Sequence, residues 1–302
     1  MPNMVAVSIP KGLINLAGLL FKPSTPSAKS PALVVVHPGG GVKEQTASLY
    51  AKKLSEQGFV AIAYDASNQG ESGGEAHHLE DPNQRTSDVW AVVDYLESLD
   101  FVDASRISAL GICAGGGYAV AATKADHRIQ AVATVSMVNI GDSVRHGWLG
   151  NENPSKHEPT LKQIAQQIRA ENKGAEPACG PYVPPNIDET TTHDMAQAHE
   201  YYRTPRAQHP RSENRMLLRS LPLLLNYDAF HLADLYLKQP VLMVVGENAE
   251  SKWNSDKLHK ILGGSSKLIS IPKGGHMDLY DKEPFVGVAV EKIVEFLNPK
   301  TV

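Results

Sequence analysis

The chain has 302 residues, 42% of them apolar and 21% charged, with a net charge of −4. That length suits one large α/β domain, or one domain carrying an insertion, and the charge leaves no basic footprint, which excludes nucleic acid as an expected partner. Two cysteines, Cys113 and Cys179, are too few for a disulfide framework and fit a reducing compartment.

Near the N-terminus an apolar stretch is interrupted by Pro10, Gly12, Asn15 and Gly18. It is too short to span a bilayer and has no secretory-signal pattern, so a cytoplasmic, soluble protein is expected. Val5–Ile9 and Ile14–Phe21 read as two strands of a hairpin turning at Pro10-Lys11-Gly12. Ala32–His37 is a valine-rich run of the kind buried on both faces of a sheet. A helix-compatible stretch, 45–57, ends at Gly58. Val60–Tyr64 follows as a strand. Val89, Val92, Val93 and Leu96 then recur at helical spacing over 85–99. Ile107–Gly111 predicts a strand, Gly115–Ala125 a helix and Ile129–Val135 a strand.

From Asn139 to Leu237 this rhythm stops. No convincing strand is present, and helices are predicted at Leu161–Ala170, Asp194–Tyr202 and Leu217–Leu237. Prolines at 177, 181, 184, 185, 205 and 210 crowd the loops between them. The expected organisation is a core of residues 1–138 and 238–302 with a helical cap, 139–237, inserted. Strand Val241–Val245, helix Asp256–Leu262, strand Leu268–Ile271 and helix Phe285–Leu297 then restore the alternation. Strands alternating with helices predict an α/β fold with a mostly parallel sheet, whose site lies at the carboxyl ends of the strands.

Three unusual features fall at such ends. Gly111-Ile112-Cys113-Ala114-Gly115 joins a strand to a helix, which is the pattern of a nucleophile elbow with cysteine at the tip. Small residues on both sides leave room for a sharp turn. A thiol at a helix N-terminus beside an imidazole is expected to ionise more readily than a free one. An inert buried cysteine at a glycine-rich helix start is the plain alternative. His37-Pro38-Gly39-Gly40-Gly41 follows a core strand and frees backbone N–H groups; Gly40, Gly41 and Ala114 are the candidate oxyanion donors. His37 itself is expected to fix the loop.

Among twelve histidines, His276 lies in Gly274-Gly275-His276-Met277-Asp278, after the last strand and before the last helix, where this chain order puts a general base. The carboxylate that would orient it is expected in Gly246-Glu247-Asn248-Ala249-Glu250-Ser251, with Glu250 ahead of Glu247. Tyr201, Tyr202, Tyr227 and Phe230, together with Leu223–Leu225, are candidates to line an acyl pocket. Asp65 reads as a loop organiser, and Arg85, Asp88 and Asp94 as helix-face charges or a buried ion pair. Cys179 has no paired histidine. His77-His78 lacks further ligands, so no metal is expected, and neither glycine cluster continues into a phosphate loop.

His37-Pro38-Gly39-Gly40-Gly41-Val42-Lys43-Glu44-Gln45, Gly111 to Tyr118, Tyr201-Tyr202-Arg203-Thr204-Pro205-Arg206 and Gly275 to Asp281 together resemble the dienelactone-hydrolase-like α/β-hydrolases. The subgroup they resemble holds bacterial hydrolases together with fungal polyketide transferases and thiohydrolases. The resemblance spans nearly the whole chain. It implies an α/β-hydrolase fold and cofactor-free acyl chemistry by a Cys113, His276 and Glu250 triad. Where dienelactone hydrolases carry a glutamate beside the cysteine, this chain has its Pro38–Gly41 loop, so a different substrate is implied.

The function expected is therefore an acyl hydrolase or acyltransferase, favouring thioesters or activated esters and lactones, with polyketide-like or dienelactone-like acyl groups. Its partner is a small-molecule acyl substrate, free or bound to a carrier protein or coenzyme A; no membrane is expected, and a homodimer is left open. A ligand-binding or redox-sensing protein on a hydrolase scaffold is the alternative.

Overall fold

The structure, a computed structural model, describes residues 3–24 and 29–298. A hairpin of β1 (Asn3–Lys11) and β2 (Ile14–Lys22) opens the chain, with Lys11 paired to Ile14 across a turn at Gly12. Then follow β3 (Ser30–Val36), α1 (Thr46–Ser55), β4 (Val60–Tyr64), α2 (Pro82–Glu97), β5 (Val102–Ile112), α3 (Ala114–Ala125) and β6 (Ile129–Val135). The insertion carries α4 (Ile140–His146), α5 (Glu158–Glu171), β7 (Cys179–Gly180), α6 (His193–Arg203), β8 (Met216–Leu217), α7 (Ser220–Leu225) and α8 (Ala233–Tyr236). After it come β9 (Val241–Gly246), α9 (Lys252–Leu262), β10 (Ser266–Ile271), α10 (Asp278–Asp281) and α11 (Phe285–Leu297).

The eight-stranded sheet has the order β1-β2-β4-β3-β5-β6-β9-β10. β1, β2 and β4 pair antiparallel in turn, and every pairing from β4 to β10 is parallel. Period-2 alternation divides the core between the two faces. Val34, Val36, Ile62 and Tyr64 face one side with Val89, Val92 and Leu96 of α2 and Tyr118 of α3. Leu33, Val35, Ala61 and Ala63 face the other with Tyr50 and Leu54 of α1 and Val286, Ala289 and Ile293 of α11. Burial on both faces is why these central strands read as unbroken apolar runs.

The insertion joins both halves of this core. Ala198, Tyr201 and Tyr202 of α6 enter the cluster under α1 and α11, and Ala229, Phe230 and Ala233 enter the opposite one. Three sequence expectations are corrected here. α4 occupies a stretch where no element is predicted. A two-residue ladder, Cys179 with Leu217 and Gly180 with Met216, stands in a region expected to lack strands. The single helix expected at Leu217–Leu237 is broken, because tertiary hydrogen bonds take the groups a helix would use. Asn139 donates to Asp228 Oδ1 (2.7 Å) and accepts from the Ala229 N–H (3.2 Å), while Arg145 donates to the Leu225 and Tyr227 carbonyls. Asp228 also caps Phe230 N–H (2.9 Å), and Leu232 turns left-handed at φ 56°. Among the described residues, no helix is long and apolar enough to cross a membrane.

Candidate active site

β5 ends beside β3 and β6, with Gly111 against Val36 and Ile112 against Val135. The next residue, Cys113, stands at φ 54°, ψ −124°, and α3 starts immediately after it. A non-glycine residue held there is strained by about 1–3 kcal/mol, and surrounding bonds must enforce it. They do: Cys113 N–H donates to Val135 O (3.0 Å), and Cys113 O accepts from Gly116 N–H (2.8 Å) and Val138 N–H (2.9 Å). The flanking glycines are sterically required. A Cβ on Gly111 would lie 2.2 Å from Gly115 O, and one on Gly115 would lie 2.3 Å from Val36 O.

The thiol lies against the backbone N–H groups of Ala114 and Gly39 and the Tyr280 hydroxyl. Burial nevertheless pushes the Cys113 thiol up, outweighing these polar neighbours. The expectation of a readily ionised thiol is therefore corrected: desolvation dominates over the helix terminus in this enclosed place.

Beside Ala114, the backbone N–H that faces the thiol is that of Gly39. Gly41 N–H is engaged by Pro38 O (3.2 Å). Gly40 stands at φ +68° with its α-carbon packed under the Tyr182 ring, where a Cβ would approach to 2.7 Å, and its carbonyl accepts from Ser212 Oγ (2.6 Å). Beneath the loop, His37 Nε2 accepts from Ala66 N–H (3.1 Å) and its Nδ1–H donates to Pro38 O (2.7 Å), which fixes a neutral tautomer. Arg85 Nη2 donates to His37 O (2.7 Å). Burial first, then the Arg85 charge, hold the His37 ring well below its ordinary pKa. Asp65 organises the adjoining loop by accepting from Lys43 N–H (2.7 Å), Glu71 N–H (2.9 Å) and Lys43 Nζ (2.8 Å).

His276, 1% exposed, follows β10 on a Gly-Gly turn. Its Nδ1 pairs with Ser251 Oγ at 2.6 Å and its Nε2 with the Tyr280 hydroxyl at 3.3 Å. Trp148 packs edge-on against the ring at 5.0 Å between centroids. Burial brings its pKa down to about 3, so the resting imidazole is neutral.

Neither predicted carboxylate touches this ring. Glu250 accepts from the His193 and Asp194 N–H groups (3.1 and 3.0 Å) and so caps the start of α6. Glu247 accepts from Lys273 N–H (3.1 Å). The Glu250 assignment is thus corrected: one residue further along, Ser251 turns into the site while Glu250 turns to the insertion. Asp194 is the buried carboxylate of this region. Its Oδ2 accepts from Glu250 N–H (2.8 Å) and its Oδ1 from His276 N–H (3.4 Å). Burial, then the Glu250 charge, push its carboxyl above the ordinary range.

A cavity of about 90 Å³ joins these groups, walled by Gly39, Cys113, His276 and Tyr280 below and by Trp148, Tyr182, Asp194 and Met195 above. Of the four pocket aromatics predicted from sequence, only Tyr202 lines it. Tyr201 accepts from Thr46 N–H (3.0 Å) and packs on Tyr280. Tyr227 packs on Tyr118 at 5.7 Å, and Phe230 is core. Tyr280, Ser251, Trp148, Tyr182 and Asp194 were missed. Only Tyr280 carried a signal, four residues after His276 and so one helical turn away.

Elsewhere, Arg85 is fully buried beside Glu80 at 3.7 Å, Asp88 accepts from Lys11 and Ser67, and Asp94 pairs on the surface with Arg128. Cys179 sits in the small ladder near Arg215. His77 and His78 do have a third neighbour, since Glu213 of the insertion brings its carboxylate within 4.8 Å of both rings. Sequence could not reveal it across more than a hundred residues.

A family model, the Dienelactone hydrolase family, matches residues 16–172. The uncharacterized protein YcjY of Escherichia coli (strain K12) is 45% identical over 288 residues, covering 94% of each chain. A thiohydrolase of Eupenicillium brefeldianum is 25% identical over 280 residues, covering 88% of this chain and 84% of that one. The crystal structure of hypothetical protein PA2218 from Pseudomonas aeruginosa superposes with a TM-score of 0.88 at 30% identity, covering 96% of this chain and 94% of that one.

Proposed function

This chain belongs to the dienelactone hydrolase family of α/β-hydrolase enzymes, and within that family we propose that it acts on acyl groups through a covalent thioester on Cys113. The observation that carries the reading is a strained thiol at φ 54° facing two backbone N–H groups, Gly39 and Ala114. In the reaction the Cys113 sulfur bonds to the acyl carbon, and the carbonyl oxygen takes the negative charge toward those two donors. His276 receives the thiol proton and returns it to the leaving group. It then takes a proton from water, or from an acceptor alcohol or amine, to release the acyl group.

Ser251 would hold the Nδ1–H tautomer that leaves Nε2 free to act as base. The resting thiol and imidazole are both neutral, so the ion pair forms only as the substrate is attacked. The strained elbow and the two backbone N–H groups that face the thiol favour the enzyme reading over a redox sensor.

A thiolate attacking an alkyl ester must expel a more basic alkoxide, whereas attack on a thioester exchanges like for like. Thioesters and activated esters or lactones are therefore the proposed substrates. An apolar cavity of about 150 Å³ holds one benzene. The 90 Å³ here fits on the order of four non-hydrogen atoms by the same scale, so a longer acyl chain or a carrier would extend through the pocket mouth.

Intact mass spectrometry of wild type and Cys113→Ala, incubated with matched acyl thioesters and ethyl esters, tests this. Wild type should gain the acyl mass and turn over the thioester faster, and the variant should do neither. No adduct on wild type, or a clear ester preference, would sink the reading.

A further inference from the structure

Tyr280 stands one helical turn after His276 on α10, 1% exposed, with its ring packed against Tyr201 at 5.2 Å and His276 at 5.5 Å. Its hydroxyl is 3.3 Å from His276 Nε2, and it shares the pocket wall with the Cys113 thiol, whose ionisation it influences. Because Ser251 holds Nδ1, Nε2 is the nitrogen left for proton transfer, and its partner is this hydroxyl. A buried phenol beside the two reacting groups has more to do than fill space, since a phenylalanine would pack the same rings. We propose that Tyr280 is a proton relay that carries the Cys113 proton to His276.

The inference rests on the acyl-cysteine reading. As the sulfur attacks, the S–H bond breaks and its proton joins the Tyr280 oxygen, while the original Tyr280 proton passes to His276 Nε2. The electron pair freed on sulfur forms the S–C bond. One S–H and one O–H bond are exchanged for one O–H and one N–H bond, and Tyr280 ends as the neutral phenol it began. Burial and the nearby Cys113 thiol hold the phenol strongly protonated, so the two transfers are concerted and no stable phenolate forms. The other titratable groups around the thiol and hydroxyl are Tyr201, Tyr202 and Arg85, with Asp194 and Tyr182 on the pocket wall.

Tyr280→Phe tests the relay by two readouts. The first is the pH profile of Cys113 alkylation by iodoacetamide, which needs no acyl substrate. The second is the single-turnover acylation rate from an acyl thioester between pH 6 and pH 10. Loss of the hydroxyl should move the alkylation midpoint to higher pH by about one unit. It should slow acylation at pH 7 by about a hundredfold, in the range of lost acid–base catalysis, with the deficit shrinking toward pH 10 as solvent removes the thiol proton directly. A merely structural tyrosine would give a deficit that does not shrink.

Unchanged alkylation and acylation profiles overturn the relay while leaving the acyl-enzyme intact. A shifted alkylation midpoint in a protein that never acylates leaves the thiol–hydroxyl–imidazole coupling standing and sinks the proposed function instead. Should Tyr280→Phe fail to fold, Tyr280→Met, whose adaptable side chain fills irregular space, carries the same comparison.

Discussion

Acid should destabilise this protein through His276. The unfolded ring takes up a proton near its ordinary pKa of about 6.5, whereas the folded ring, held neutral by burial, takes one only near about 3. Between these values the unfolded chain binds the extra proton, so stability is full above pH 6.5 and falls as the pH drops toward 3. Each unit is worth about 1.4 kcal/mol, so moving from pH 8 to pH 5 removes about 2 kcal/mol through this ring alone. The assay is urea unfolding of wild type and His276→Asn at both pH values under reducing conditions. His37, also held neutral by burial, titrates in both proteins and cancels in the comparison, as do the raised carboxyls of Asp65 and Asp194. Wild type should lose about 2 kcal/mol more than the variant over this range. Equal losses would mean that the folded ring is protonated or solvated, and the neutral resting site would have to be abandoned.

Other substitutions probe the elbow and the corrected partner of the imidazole. Gly115→Ala places a Cβ 2.3 Å from Val36 O and 2.6 Å from His37 O; with backbone on both sides unable to yield, a loss of about 3 kcal/mol or more is expected, read as a lower melting temperature or loss of soluble protein. A melting temperature equal to wild type would show that the turn can relax. Glu250→Gln should cost about 1 kcal/mol as a weakened helix cap and change turnover by less than about tenfold, whereas loss of a carboxylate that orients a catalytic histidine costs about 10⁴ in kcat. Ser251→Ala should be the more damaging of the two in kcat, because it strips the partner from His276 Nδ1, and the reverse order would restore Glu250 to the site.

Much of the architecture follows from local chemistry. Val60–Tyr64, Ile129–Val135 and Phe285–Leu297 have the bounds expected from apolar runs and helical spacing, because burial on two faces or one stripe is written directly into neighbouring residues. Cys113 between Gly111 and Gly115 was legible for a similar reason, since so sharp a strand-to-helix turn tolerates only small neighbours.

What the sequence by itself determined, then, is the alternation of strands and helices, the elbow, and the loops that carry His37 and His276. The tertiary structure alone decided which atoms meet. Glu250 and Ser251 are adjacent, and only the arrival of the α6 N-terminus sends one carboxylate to the His193 and Asp194 amides and leaves a hydroxyl for the imidazole. Likewise the Gly39 amide faces the thiol, while the Tyr182 ring, from the insertion, packs over Gly40. Ionisation is equally non-local: a thiol at a helix start reads as acidic, yet enclosure by packed aromatic side chains raises it. Spacing along the chain encodes how a segment folds, while desolvation and side-chain partners depend on everything that packs around it.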